Sequence, residues 1–71
     1  METDPIYQIH LKEHLSAQWA EWFDPLRIEY AANGETRLVG PIRDQSELYG
    51  LLMKVRDLNL TLLAVLRGDA A

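Results

Sequence analysis

Cysteine is absent from this 71-residue chain, which excludes disulfides and thiolate metal sites. Nothing in the composition therefore calls for an oxidising compartment. Positive charge is scarce as well: Lys and Arg total 7 against 11 Asp and Glu, for a net charge of −4. The basic residues stand singly along the chain. Binding to a phosphate backbone depends on clustered cations, so no nucleic-acid partner is expected. Long hydrophobic runs are missing too; none approaches the roughly 20 apolar residues that a bilayer span needs, and no membrane partner is expected. The opening "METDPIYQ" carries Glu2 and Asp4 where a secretory leader carries positive charge, which leads to the expectation of a cytoplasmic protein. Neither of the glycine-rich phosphate-binding spacings, GxGxxG and GxxxxGKS/T, occurs.

What is present is the make-up of a globular protein, with 48% hydrophobic residues. The length predicts a single domain over residues 1–71, with flexible ends at 1–5 and 68–71. A chain of this size buries only about 60% of the surface it exposes when unfolded. With disulfides excluded, a partner subunit is the reinforcement left to it.

Four strands and two helices are legible. "IYQIHLK" alternates, Tyr7, Ile9 and Leu11 against Gln8, His10 and Lys12, which is the period of a strand with one buried face. In "HLSAQWAEWF" Ser16 is a good helix N-cap, and Trp19, Trp22 and Phe23 fall within one stripe at 100° per residue. Asp24-Pro25 stops that helix after about two turns. Its three rings are predicted to lie in the core and to anchor a helix too short to stand alone.

"LRIEYAANGETRLVG" then reads as a hairpin turning at Asn33-Gly34, the preferred pair of a type I′ turn. A two-residue loop sets Ile28 opposite Val39; one bulge residue brings Leu38 to the core side instead, and both registers stay open. Gly40-Pro41 closes the hairpin. Asp44 caps the second helix with Glu47 three residues on, Leu48, Leu51, Leu52, Val55 and Leu58 recur at helical spacing, and Asn59 fits the left-handed stop. "TLLAVLR" is the last strand, with Leu62, Ala64 and Leu66 on one side and Leu63 and Val65 on the other.

The order β-α-β-β-α-β predicts an α+β, ferredoxin-like fold: a four-stranded antiparallel sheet in the order 4-1-3-2, with two helices on one face. Beyond that, the chain resembles a family of small uncharacterised bacterial proteins of about 70 residues. The match is carried by His14-Leu15 with Trp19, Trp22 and Phe23, by Asn33-Gly34, by Gly40-Pro41 and Asp44-Gln45 with Leu48 and Gly50, and by Arg56-Asp57-Leu58. The resemblance spans roughly residues 7 to 66, implies a bacterial origin, and brings with it no activity and no catalytic residue.

Candidate chemistry is sparse. His10 and His14 are four apart, a metal-ligand spacing on a helix, but along an extended strand it separates the rings by about 13 Å. No third ligand completes a site, so surface or turn-bonding roles are expected for both. Ser16 near His14 lacks the strand-turn-helix elbow of a nucleophile and is read as a cap. Asp44 and Glu47 suit the first turn of a helix, where the dipole favours them. The expectation is therefore no catalytic, cofactor-binding or metal residues, and no enzyme; His10 with Glu29 is the one pair worth testing.

Two features point to an interface instead. Gly50 lies on the outward side of the second helix, where it costs about 1 kcal/mol relative to alanine. Tyr49 and Met53 lie on the flank of the same helix, off the centre of the leucine stripe, and either cover the core edge or receive a partner. The last strand is apolar on both sides, so Leu63, Val65 and Ile6 are expected to leave an apolar patch on the open sheet face. The function expected is a non-catalytic homodimeric interaction or regulatory domain, with a possible protein partner. The alternative is a small-metabolite-binding module formed at a dimer interface, an analogy from fold alone.

Overall fold

A computed structural model of the protein describes residues 4–68. The elements run β1 (Ile6–Leu11), a 3-10 helix (Ala17–Ala20), β2 (Arg27–Tyr30), β3 (Thr36–Pro41), α1 (Gln45–Asp57) and β4 (Leu62–Arg67). The sheet has four strands in the order β2-β3-β1-β4, every neighbouring pair antiparallel. This is the expected order 4-1-3-2, read from its other edge. The outer parts of the expected flexible ends, residues 1–3 and 69–71, lie outside the described residues. Within the described residues the Pro5 carbonyl accepts from the Ile42 N–H and the Gly68 N–H donates to the Ile6 carbonyl.

α1 forms where its local signals are strongest. The Asp44 carboxylate accepts the Glu47 N–H at 2.9 Å, while Glu47 reaches back to the Arg43 N–H at 2.6 Å. The first caps a backbone donor that the first turn leaves free, and the second holds the residue just before the cap. At the other end Asn59 takes the left-handed conformation (φ 59°). The Asn59 N–H donates to the Arg56 carbonyl and the Leu60 N–H to the Val55 carbonyl, the bond pair of a Schellman stop. Leu60 then folds back onto the core.

The helix buries Leu48, Leu51 and Val55 against one sheet face. Cross-strand register identifies that face: Ile28, Leu38, Ile9 and Val65 stand in one row across all four strands. Tyr7, Leu11, Leu38 and Ile42 complete the core with Phe23 and Leu26. The hairpin register that sequence left open is thus resolved with Leu38 inward. Gly34 is in the left-handed region (φ 90°) while Asn33 is not, and the Gly34 N–H donates to the Ala31 carbonyl. These are the marks of a three-residue loop with a glycine bulge, not a type I′ turn, and the extra residue shifts the facing pairs by one.

The first predicted helix is corrected. Ser16 makes no side-chain cap bond, and only four residues are helical, in 3-10 form. Bonds from Trp19 to Ser16, Trp22 to Trp19, Phe23 to Ala20 and Leu26 to Phe23 all span three residues. The segment is held at both ends: the Leu15 N–H is bonded to Thr36, and Leu26 is packed against Gly40. The 3-10 path rises about 2.0 Å per residue against 1.5 Å for an α-helix, so it suits a bridge between two fixed points.

The tighter winding also separates the rings. At three residues per turn Trp19 and Trp22 eclipse each other, and Phe23 points a third of a turn away. Phe23 is fully buried, Trp19 is half-buried and Trp22 is 51% exposed. The prediction that all three lie in the core therefore fails for Trp22.

Gly40 is corrected as well. It lies inside β3 opposite Tyr7, and β3 continues to Pro41 opposite Ile6. A Cβ at Gly40 would stand 2.9 Å from Leu26 Cδ2, 3.0 Å from Leu26 Cα and 3.1 Å from the Pro25 carbonyl oxygen. The glycine lets the chain entering β2 lie directly on β3.

Candidate functional site

Both histidines that sequence singled out for chemistry are engaged in bonds within the turn and the strand. His14 Nδ1 donates to the Gly34 carbonyl at 3.1 Å, and its ring stacks on Tyr30 with centroids 4.3 Å apart. This is a turn-bonding role. His10 Nε2 donates to Gln8 Oε1 at 3.0 Å, two residues along the same strand face. His10 and Glu29 are not neighbours: β3 runs between them, and Arg37 is the cross-strand partner of both. Glu29 meets Arg27 instead, at 2.6 Å. Among the described residues no three His, Asp or Glu side chains are grouped as metal ligands. Among the described residues no helix is long and apolar enough to cross a membrane.

Glu13 has a displaced acidity. Its carboxylate accepts the Thr61 N–H at 2.8 Å and the Thr61 hydroxyl at 2.7 Å. These two bonds favour the ionised form and hold the carboxyl below its usual range. The bonds tie the end of β1 to the entry of β4, a structural clamp.

The candidate interface residues separate into two surfaces. On β4, Val65 stands opposite Ile9 and packs against the core. Its predicted place on the open face is therefore wrong. Ala64 and Leu66, opposite His10 and Gln8, take that face. A register shift at His10/Leu11 pairs Leu11 with Leu62 and leaves Leu63 as the unmatched residue. One inserted residue reverses which side of a strand its side chains take. Leu62, Leu63 and Leu66 are 44%, 46% and 41% exposed. Ile6 is half-buried opposite Pro41.

The two sheet edges differ in kind. β2 is four residues long and carries Arg27 and Glu29, so it is blunted by shortness and charge. β4 is six residues long, with no charge before Arg67 and no proline. Its outer backbone groups form an open ladder with leucines around it.

The second surface is on the outer side of α1. Tyr49 and Met53 are exposed, as expected of residues off the leucine stripe. A Cβ at Gly50 would meet nothing within 4 Å. Beside Gly50 lies a groove of about 270 Å³ lined by Asp24, Pro25, Glu47, Gly50, Leu51 and Lys54. Trp22 adjoins it through Lys54, whose Nζ donates to the Trp22 carbonyl at 2.9 Å and sits 5.6 Å from the ring centroid. Trp19 meets Trp22 edge-to-face at 6.4 Å, and both line a shallow concavity of about 330 Å³ with Gln18 and Glu21. Sequence reasoning missed Trp22 and Lys54 as surface residues. The available signal was the three-residue spacing of the tryptophans, which matches a 3-10 turn as well as an α-helical stripe.

Neither a curated protein nor a solved structure matches the chain. A family profile does match, over residues 6–66, which is the whole sheet from the first residue of β1 nearly to the last of β4. The chain belongs to that family, described as Domain of unknown function (DUF8691).

Proposed function

We propose that this protein is a non-catalytic interaction domain that works as a homodimer, with β4 as the joining element. The observation that supports this reading is the contrast between the two sheet edges. A bare six-residue strand ringed by half-exposed leucines is a template for another strand, and a second copy of the same strand satisfies it about a two-fold axis. The small size of the core supports the same reading, because a partner subunit supplies burial that a chain this short lacks. We further read the fold as a ferredoxin-like split βαβ arrangement whose first helix has shrunk to a 3-10 turn. The cytoplasm is the setting proposed, in keeping with a chain that has no cysteine to oxidise.

The test is sedimentation at tens of micromolar, an order of magnitude chosen because dimer population follows mass action. A dimer is the expected result. A monomer at that concentration overturns the reading.

A further inference from the structure

Gly50 is a helix-interior glycine that nothing inside the molecule requires. It lies within the 13-residue α1, is exposed, and has open space where a side chain would stand. An exposed glycine there weakens the helix by about 1 kcal/mol relative to alanine. What its missing side chain leaves is the groove of about 270 Å³. That volume is below the roughly 300–1,000 Å³ of sites for drug-sized molecules, and it suits one inserted protein side chain.

The surroundings are those of a protein-binding surface. Trp22, Tyr49 and Met53 are each half or more exposed. Tyr49 and Met53 are one helical turn apart, with Gly50 between them in sequence. Aromatic residues and methionine are the types enriched in interface cores; none of the three lines the groove itself, Trp22 adjoining it through Lys54 and Met53 and Tyr49 standing beyond Gly50 on the exposed side of α1.

Charge selects the occupant. Asp24 and Glu47 line the groove, and Glu21 lies beside Trp22. The groove's one cation, Lys54, is committed to the Trp22 carbonyl and ring. Among the described residues the Asp24 carboxylate has no hydrogen-bond or ion-pair partner, its backbone N–H being bonded to the Glu21 carbonyl, and one Glu47 oxygen caps the Arg43 N–H, leaving the other available. Such a surface on a chain of net charge −4 repels phosphate backbones and anionic lipid.

We propose that the groove beside Gly50, with Trp22 adjoining it through Lys54 and Met53 and Tyr49 beyond Gly50 on the exposed side of α1, is a docking site for a cationic amphipathic segment of another protein. The aliphatic stem of a partner lysine or arginine lies over Gly50, and its charged head meets Asp24 and Glu47. The apolar residues of the segment cover Trp22, Tyr49 and Met53. This surface is separate from β4 and does not depend on the dimer.

The experiment is an NMR titration of the isotope-labelled protein with a synthetic peptide of leucine and lysine at helical spacing. A leucine–glutamate peptide of the same pattern serves as control. Saturable shifts at Tyr49, Gly50, Met53 and the Trp22 indole are expected with the cationic peptide only. Gly50→Leu fills the groove at a position with free space and favours the helix, so it folds; it is expected to weaken binding about tenfold or more. The double variant Asp24→Asn with Glu47→Gln is expected to weaken it to a similar degree and to remove most of its salt dependence.

The proposal is overturned by the absence of saturable shifts, by equal binding of the anionic peptide, by wild-type affinity in Gly50→Leu, or by shifts centred on β4. Repeating the titration in Leu63→Lys separates the two readings: docking retained in that variant supports this site whatever its oligomeric state, and docking lost there overturns it.

Discussion

Thr36 and Leu15, 21 residues apart, are joined by a buried hydrogen bond in which the Thr36 hydroxyl accepts the Leu15 N–H at 2.8 Å. The same hydroxyl donates to the Glu13 carbonyl at 2.7 Å. Thr36 is fully buried, and its one oxygen fixes the chain leaving β1 against β3. From that point the 3-10 segment departs, and the position of Trp22 follows.

Thr36→Val keeps the shape and removes the hydroxyl, leaving a buried N–H and a carbonyl without their partner. A loss of about 1–3 kcal/mol is expected. It should appear in urea unfolding as a lower midpoint with an unchanged slope. Thr36→Ser retains the oxygen and should recover most of the loss. Equal stability of all three proteins would contradict this account of the bond.

The two glycines 40 and 50 should respond to alanine with opposite signs. At Gly40 the added Cβ meets Leu26 Cα and the Pro25 carbonyl oxygen, backbone atoms with little freedom to move. Destabilisation of about 1–3 kcal/mol is expected. At Gly50 the space is open, and alanine should stabilise by about 0.4–1 kcal/mol. Thermal melts should place the two variants on either side of the native protein, since 1 kcal/mol moves the midpoint of a domain this small by about 4–8 °C.

Lysine substitutions along β4 should separate its two sides. Leu63→Lys and Leu66→Lys place charge at exposed positions, and each should give a folded monomer by sedimentation. Val65→Lys places it opposite Ile9 in the core and should unfold the chain. A folded Val65→Lys protein would show that the register of β4 is wrong.

Glu13 predicts a pH effect of definite sign. Its carboxyl titrates lower in the folded chain, because Thr61 donates twice to the ionised form. The stabilisation is therefore complete above the unfolded-state pKa and is lost as pH falls through the folded one. Glu13→Gln should lower the urea midpoint at neutral pH and narrow its gap to the native protein in acid. The carboxylate is solvent-screened, so the effect should be small. A gap that widens in acid would reverse the assignment.

Much of this architecture is set by interactions within five or six residues and was legible without coordinates. The cap at Asp44, the stop at Asn59 and the leucine face of α1 belong to that class, because a helix closes its bonds locally. The alternation of β1, the turn glycine at Gly34 and the strand order followed from period and connection length. Tyr49, Gly50 and Met53 were also legible as an outward surface, since a single helical face decides their place.

What only the tertiary structure decided concerns segments whose local pattern fits two arrangements equally. "LLAVL" is apolar in both phases of a period-two strand, so pairing with β1 and the register shift near Leu63 chose which residues face the core. Trp19, Trp22 and Phe23 fit an α-helical stripe or a 3-10 turn, and the fixed ends at Leu15 and Leu26 selected the longer path that turns Trp22 outward. Gly40 and Thr36 have no local signature at all, because their reasons are a backbone and a loop far away in sequence. Local bonding is read from neighbours; phase and close approach depend on what the rest of the chain brings alongside.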